Sequence, residues 1–389
     1  MSSQRTEAPG DVLIVDDTPD NLRLLSQMLS EQGYGVRAVA SGSRALASVR
    51  AAPPDLILLD IKMPGMNGYE VCERLKADER TRDIPIIFIS SLDAIQDKVK
   101  AFTAGGVDYV TKPFQLEEVL ARVETHLALR KLQQQLQDAN KKMKQELALA
   151  GEVQASFLPI ELPDTPGWHL AATLEPARET SGDFYDIIVL PNGRLGILIA
   201  DVVDKGVGAA LYMALSRTLI RTYAAEYPEQ PELALSAVNR RIVADTYANQ
   251  FVTVFYGTLD LVTGTLTYCN AGHNPPILLS AEEEDAVQLL SRTGMALGVV
   301  ENAVWEQGIV QLAHGDVVVL YTDGVTDAQD QQGTFFGKER LQEAARANLF
   351  RSAQEVQEAL IAEVHGFVGD APRFDDLALM VVVRDSTLE

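Results

Sequence analysis

Two adjacent carboxylates, Asp16 and Asp17, follow the apolar run VLIV; a third, Asp60, ends LILLD; the Ser90 hydroxyl ends IIFIS; and Lys112 follows YVT. Three carboxylates at one place repel one another unless a cation lies among them, and hard oxygen donors with water completing the shell suit Mg²⁺. With the cation bound, Asp60 can act as nucleophile toward a phosphoryl group, Lys112 can neutralise phosphate oxygens, and Ser90 can bond one of them. The product would be an aspartyl phosphate. A second set of aspartates stands at the ends of apolar runs in the C-terminal half: Asp183 in SGDFYD, Asp201 in IADVVDKG, Asp323 in YTDGVTD, and Asp375 with Asp376 in RFDDLALMVVV. Any one Asp beside Gly is readily explained as a turn or cap. Four such positions without His or Cys point instead to Mg²⁺ or Mn²⁺ rather than zinc. A two-metal site would lower the pKa of a bridging water and stabilise both oxygens of an in-line displacement, so phosphate-ester hydrolysis is expected.

These residues need elements that bring strand ends together. From residue 11 to about 114, short Val/Ile/Leu runs (12–15, 36–40, 56–59, 86–89 and 109–110) alternate with amphipathic helical patterns, which predicts a doubly wound α/β unit on a five-stranded parallel sheet. Such sheets carry their chemistry at the carboxyl ends of the strands. From about 115 to 157 there is no Pro, and Leu129, Leu136, Met143, Ala150 and Phe157 recur every seven residues, with Leu132, Ala139 and Val153 at the alternate spacing and Glu146 as the flaw. This predicts a long helical linker with a coiled-coil stripe and favours a parallel homodimer; a single amphipathic helix packed on its own chain is the alternative. After Pro159 the texture turns β-rich, with strands at 183–190, 194–203, 251–261, 264–272, 315–324 and 375–383 and helices near 208–226, 231–247, 338–347 and 352–368. That order predicts an α+β layered β-sandwich flanked by helices. The chain is thus multidomain, with expected bounds 10–128, 129–157 and 158–389.

Composition excludes several classes. Against 33 Lys plus Arg stand 55 Asp plus Glu, a net charge of −22, so neither a nucleic-acid backbone nor an anionic membrane is an expected partner. At 47% hydrophobic and 23% charged residues the chain can bury real cores. The two cysteines, Cys72 and Cys269, are isolated, which indicates neither a disulfide framework nor a zinc finger. The opening MSSQRTEAPGD lacks a signal-peptide core and no later run reaches the roughly 20 apolar residues of a membrane span, so a cytoplasmic location is expected.

The strings VLIVDD, LILLDIKMPGMNGYE, PIIFISS and GGVDYVTKPF resemble the successive signatures of response-regulator receiver domains, over about residues 10 to 130. The resemblance implies Asp60 as phosphoacceptor, Asp16 and Asp17 with the Lys62 carbonyl on Mg²⁺, Ser90 as switch hydroxyl, Tyr109 as switch aromatic and Lys112 as phosphate contact. It implies a histidine kinase or phosphorelay protein as donor. The strings EVQASFLP, SGDFYD, IADVVDKGVGAAL, NAGHNPP, LYTDGVTDA and DDLALMVV resemble the PPM family of metal-dependent serine/threonine phosphatases, in its SpoIIE/RsbU-like branch, over about 150 to 385. That resemblance implies two Mn²⁺ or Mg²⁺ ions: Asp201 bridging them with the Val202 carbonyl beside it, Asp323 and Asp375 completing one shell, and Asp183 serving the second ion. A metal-activated water would attack without a covalent intermediate. The substrate implied is a phosphorylated STAS-domain anti-sigma-factor antagonist in a partner-switching circuit.

Two residues depart from the branch pattern. Ser181 replaces the first Gly of a GGD run, and Asp204 stands where a small residue is commoner, adding a carboxylate near the metals. His273 in NAGHNPP reads as structural, because Asn-Ala-Gly and Asn-Pro-Pro form turns. The competing reading is a non-enzymatic adaptor that binds a sigma factor or its regulators; the retained Asp201, Asp323 and Asp375 argue against it, since a binding scaffold has no need of clustered carboxylates. Phosphorylation of Asp60 is expected to act through the connector, with Val153 and Phe157 joining its stripe to the phosphatase.

Overall fold

A computed structural model describes residues 10–91, 95–159, 161–245, 250–282 and 287–385. The N-terminal stretch 1–9 and the last two positions of the helix expected at 231–247 lie outside the described residues. The chain divides into two compact units, 1–142 and 143–389.

The first unit alternates β1 (Asp11–Val15), α1 (Pro19–Glu31), β2 (Gly35–Val39), α2 (Gly42–Ala51), β3 (Leu56–Asp60), α3 (Gly68–Ala77), β4 (Ile86–Ser90), α4 (Ile95–Thr103) and β5 (Asp108–Thr111), followed by α5 (Leu116–Ala155). The strands are all parallel in the order β2-β1-β3-β4-β5. Their runs are continuously apolar because both faces are covered. Val12, Ile14, Leu58 and Ile89 pack against Leu25 and Leu29 of α1 and Val119 and Val123 of α5, while Leu13, Leu59 and Phe88 pack against Val49, Cys72 and Ala101 from the other helices. The order reverses between β1 and β3, so Asp16, Asp17 and Asp60 stand at the crevice where such sheets bind ligands. Helix α5 begins as the last covering helix of this unit and runs 40 residues without a break. Along it Leu129, Leu132, Leu136 and Met143 are each about half exposed or more.

The second unit has β6 (Trp168–Glu175), β7 (Phe184–Val189), β8 (Leu195–Val202), α6 (Val207–Glu226), α7 (Pro231–Asp245), β9 (Val252–Leu259), β10 (Thr265–Ala271), β11 (Ile277–Leu279), β12 (Val287–Leu289), β13 (Gly308–Gln311), β14 (Val317–Tyr321), α8 (Asp323–Thr326), α9 (Gly337–Ala347), α10 (Ala353–Val368) and β15 (Leu377–Arg384). Two antiparallel sheets, β13-β10-β9-β8-β7 and β12-β11-β14-β15-β6, face each other. The two-residue alternation of each strand decides the layers. Ile197, Ile199, Phe255, Leu320, Ala378 and Met380 fill the space between the sheets. Leu198, Ala200, Val254 and Tyr256 turn instead to α6 and α7, and Val319, Tyr321, Leu379 and Val381 turn to α9 and α10. Helix α10 starts at a reciprocal cap in which the Ser352 hydroxyl accepts from Glu355 N–H and Glu355 accepts from Ser352 N–H. Among the described residues, no helix is long and apolar enough to cross a membrane.

Sequence reading missed β6, β11, β12, β13 and α8. Strands β12 and β13 are short and largely exposed, and β6 is a half-buried edge strand, so none forms a continuous apolar run. Asp323, read as a strand-end turn, is the first residue of the single-turn helix α8.

Candidate metal centres

In the first unit, Asp16 and Asp17 follow β1 and Asp60 closes β3, and the three offer carboxylate oxygens within 4.8 Å of one another. Asp16 is fully buried and Asp60 nearly so. Lys112, one residue past β5, reaches both: its Nζ lies 2.8 Å from Asp16 Oδ2 and 2.9 Å from Asp60 Oδ1. Burial, with help from the Asp16 and Asp17 charges, pushes the Asp60 carboxyl above its usual value against the pull of Lys112. Burial works against the Lys112 charge, but its bonds to Asp16 and Asp60 outweigh that and hold the ammonium above its ordinary value. Asn21 on α1 donates to both Asp16 oxygens and Thr18 N–H donates to Oδ1, which fixes that carboxylate. Asn21 escapes sequence reading because it sits inside a helix rather than at a strand end. Ser90 ends β4, buried, and its carbonyl accepts from Lys112 N–H at 2.7 Å. Tyr109 on β5 lies edge-on to Phe102 with Lys98 over its ring. Lys62 is exposed two residues past Asp60, in the loop to α3; there the missing side chain of Gly68 matters, since a Cβ would stand 2.4 Å from the Asp60 carbonyl.

In the second unit, Asp183 precedes β7, Asp201 is the penultimate residue of β8, Asp323 opens α8 after β14, and Asp375 and Asp376 precede β15. All these strand ends lie at one edge of the sandwich, and Asp201 follows Ile197 and Ile199 in the alternation that faces the opposite sheet. The carboxylates share one electrostatic field. Burial first, then repulsion from Asp201 and Asp376, drives Asp183 well above its usual range, against a hydrogen bond from Thr322. Burial, then Asp375 and Asp376, raises Asp201. Burial, then Asp201 and Asp375, pushes Asp323 up to about 6. Asp183 Oδ2 is buried with no hydrogen-bond partner. A buried carboxylate oxygen without a donor is costly, and an all-oxygen donor set around it fits a hard divalent cation.

The two members of the Asp375–Asp376 pair differ. Asp376 accepts from Ala177 N–H at 2.7 Å and Gly182 N–H at 2.9 Å, bracing two loops, whereas Asp375 pairs with Lys205 Nζ at 2.8 Å. Gly182 sits where a Cβ would lie 3.0 Å from the Val202 carbonyl, so the Asp183 loop packs directly on that carbonyl. Asp204 adopts φ 95°, a left-handed conformation that favours glycine. Its carboxylate is exposed and folds back to accept from Lys205 N–H at 2.8 Å. The Ser181 hydroxyl ties down Asp183, accepting from its N–H at 3.0 Å and donating to its carbonyl at 3.1 Å. His273 is buried with Nδ1 2.9 Å from Thr253 Oγ1, and burial drives its pKa down to about 3, so the ring is neutral. At the end of α5, Val153 and Phe157, expected to join linker and phosphatase, are exposed; Gln154 is the buried residue there. A lone Gln in a Gln-rich helix carries no sequence signal.

A parallel α/β unit with an acidic strand edge, followed by a double sheet between helix layers with a carboxylate cluster, defines a response regulator whose output unit has the PP2C phosphatase fold. The response regulator receiver domain matches residues 12–124, and the family described as Stage II sporulation protein E matches 191–385. Phosphoserine phosphatase RsbU of Bacillus subtilis is 30% identical over 261 residues, 67% of this chain and 74% of that protein. The chain belongs to the SpoIIE family. Protein IcfG of Synechocystis sp. is 35% identical over 266 residues; the match spans 62% of this chain and only 42% of that protein's length. The solved SiaA-PP2C domain of Pseudomonas aeruginosa shares the fold, with a TM-score of 0.58 at 24% identity, covering 64% of this chain and 99% of that one.

Proposed function

We propose that the chain is a phosphorylation-controlled protein serine/threonine phosphatase, with a receiver over 10–128, a helical connector over 129–157 and a metal-dependent phosphatase over 158–389. The observation that carries the reading is the buried, unpartnered Asp183 Oδ2 beside Asp201 and Asp323, three carboxyls whose proton affinities are driven up by burial and by neighbouring charge, an arrangement that calls for cations. Asp183, Asp201, Asp323, Asp375 and the Val202 carbonyl would hold two Mn²⁺ or Mg²⁺ ions. When bound, the ions supply a water of lowered pKa and positive charge beside the phosphoryl oxygens. The protein's part is placement: Asp376 and Ser181 fix the Asp183 loop, and Lys205 holds Asp375 from the exposed side.

In the receiver, Asp16, Asp17 and the Lys62 carbonyl would hold Mg²⁺, and Asp60 would accept a phosphoryl group from a histidine kinase or phosphorelay donor. Lys112 already contacts Asp60 and would meet the phosphate oxygens, while Ser90 and Tyr109 would register the modification. The exposed stripe of Leu129, Leu132, Leu136 and Met143 supports a homodimer through the connector helix. The likeness to RsbU supports a phosphorylated STAS-domain antagonist as substrate.

The test is phosphate release from phosphoserine-bearing STAS proteins with added Mn²⁺, comparing the intact chain with Asp201→Asn, each with and without acyl phosphate to load Asp60. Release lost in the variant is the expected result, and undiminished release would overturn the reading. No release from the intact chain, with STAS or sigma-factor binding retained, would establish an adaptor instead.

A further inference from the structure

The end of helix α5 is exposed at Glu152, Val153 and Ala155, as is Ser156 just past it, yet Gln154 among them is only 8% exposed. Its amide is spent on a single backbone residue: Nε2 donates to the Ser181 carbonyl and Oε1 accepts from Ser181 N–H at 2.9 Å. Three residues earlier on the same helix face, Gly151 allows close approach, since a Cβ there would stand 2.1 Å from the Glu179 carbonyl. The helix end is therefore seated on the loop 179–183 at two points. From Ser181 a short chain of bonds leads to the acidic centre. Its hydroxyl binds both backbone groups of Asp183, and the intervening Gly182 N–H is held by Asp376 Oδ2.

An apolar side chain would dock the helix equally well at a buried position. A primary amide that both donates to and accepts from one residue does something more: it fixes that residue's orientation, because turning it breaks both bonds and leaves buried polar groups unpaired. The loop so fixed carries Asp183, whose Oδ2 has no other partner to hold it.

We propose that Gln154 is a positioning residue for the cation ligand Asp183, holding the Ser181–Asp183 loop in its ligating arrangement. The proposal deepens the function given above and rests on its metal-centre part. Partners one step removed from a metal commonly change its affinity by about 10- to 100-fold when lost. In the full chain carrying Asp16→Asn to silence the receiver, Mn²⁺ binding is measured by calorimetry, and the relevant site is the one lost on adding Asp201→Asn. Gln154→Met, of similar size but without either bond, should weaken that site at least about tenfold. It should also lower kcat with little change in KM for the phosphoprotein. Gln154→Glu keeps the acceptor but sets a carboxylate oxygen against the Ser181 carbonyl, so it too should weaken the site, and Val153→Ala should bind as the parent chain does.

Unchanged Mn²⁺ affinity in a folded Gln154→Met chain overturns the proposal, as does a parent chain with no Asp201-dependent Mn²⁺ site. If Gln154→Met does not fold, Gly151→Ala decides in the same way through the neighbouring contact. Mn²⁺ binding that weakens as expected in a chain releasing no phosphate from any phosphoprotein would leave the positioning role standing and sink the phosphatase reading alone.

Discussion

Asp201→Asn should make the metal-free second unit more stable while removing its response to Mn²⁺. Asp323, under burial and the charges of Asp201 and Asp375, has its pKa pushed up to about 6 from a usual value of 3.8. A shift of about two units corresponds to roughly 3 kcal/mol, which partial solvent access at Asp323 reduces to about 1–2 kcal/mol. The raised pKa means that between about pH 4 and 6 the folded state binds a proton the unfolded state has released. Metal-free stability is therefore highest below that window and falls as pH rises through it. Removing the Asp201 charge relieves Asp323 and Asp183 together. Burial, the larger cause, stays, so the lost Asp201 charge recovers about 1 kcal/mol; for a unit of this size that moves Tm by roughly 2–4 °C, and in EDTA at pH 7.5 the variant should melt about 2–4 °C above the parent. Mn²⁺ at about 100 times Kd adds roughly 2.7 kcal/mol to the parent, a rise of about 5–10 °C that the variant lacks. Thermal unfolding in an Asp16→Asn background, in EDTA and in excess Mn²⁺, reads both effects. A variant that melts lower than its parent in EDTA, or gains as much from Mn²⁺, would refute the electrostatic argument.

Gly324→Ala would put a methyl 1.7 Å from the Asp376 carbonyl, so α8 and the start of β15 must part; Mn²⁺ affinity and turnover should fall by about tenfold or more, and parental values would show that the crossing is not needed. Asp186, fully buried on β7, pairs with Arg217 at 3.0 Å and Arg221 at 2.6 Å. Asp186→Ala leaves Arg217 buried without its carboxylate and should cost about 3–5 kcal/mol in urea unfolding; a loss below about 1 kcal/mol would refute this. Because the His273 pKa lies near 3, phosphate release between pH 5 and 8 should show no limb from it, and His273→Asn should keep the shape of the profile. A limb that vanishes in that variant would make the ring a proton carrier.

The first unit was legible because a parallel sheet covered on both faces writes each strand as an unbroken apolar run, and its chemistry sits one or two residues beyond the run. Asp16, Asp60, Ser90 and Lys112 could all be read that way. The second unit was legible where strands are long and buried on both faces, as β8, β14 and β15 are, and illegible at β11, buried but only three residues long, and at the edge strands β6, β12 and β13. Aspartates could be found as strand-end residues, but their division of labour could not. Asp375 and Asp376 are adjacent and identical in type; alternation turns Asp376 inward with Ala378 and Met380, where the amides of Ala177 and Gly182 wait for it. Gln154 was hidden for another reason. Among so many glutamines nothing marks the one whose partner lies 27 residues away.

The two acidic sites differ in how far the protein itself balances their charge. At the receiver edge one lysine spans Asp16 and Asp60, so the group can hold together before any cation arrives, and Asn21 and Thr18 fix Asp16 besides. At the sandwich edge Lys205 pairs with Asp375 and only eases Asp201, while burial and the repulsion of neighbouring carboxylates still hold Asp183, Asp201 and Asp323 above their usual proton affinities. That repulsion is stability given up for readiness to bind a divalent ion. It also explains why the surrounding loops are fastened by so many specific bonds. Carboxylates under such strain would otherwise swing out to water, and the Asp376 brace, the Ser181 hydroxyl and the Gly324 crossing each deny Asp183 or Asp323 that escape.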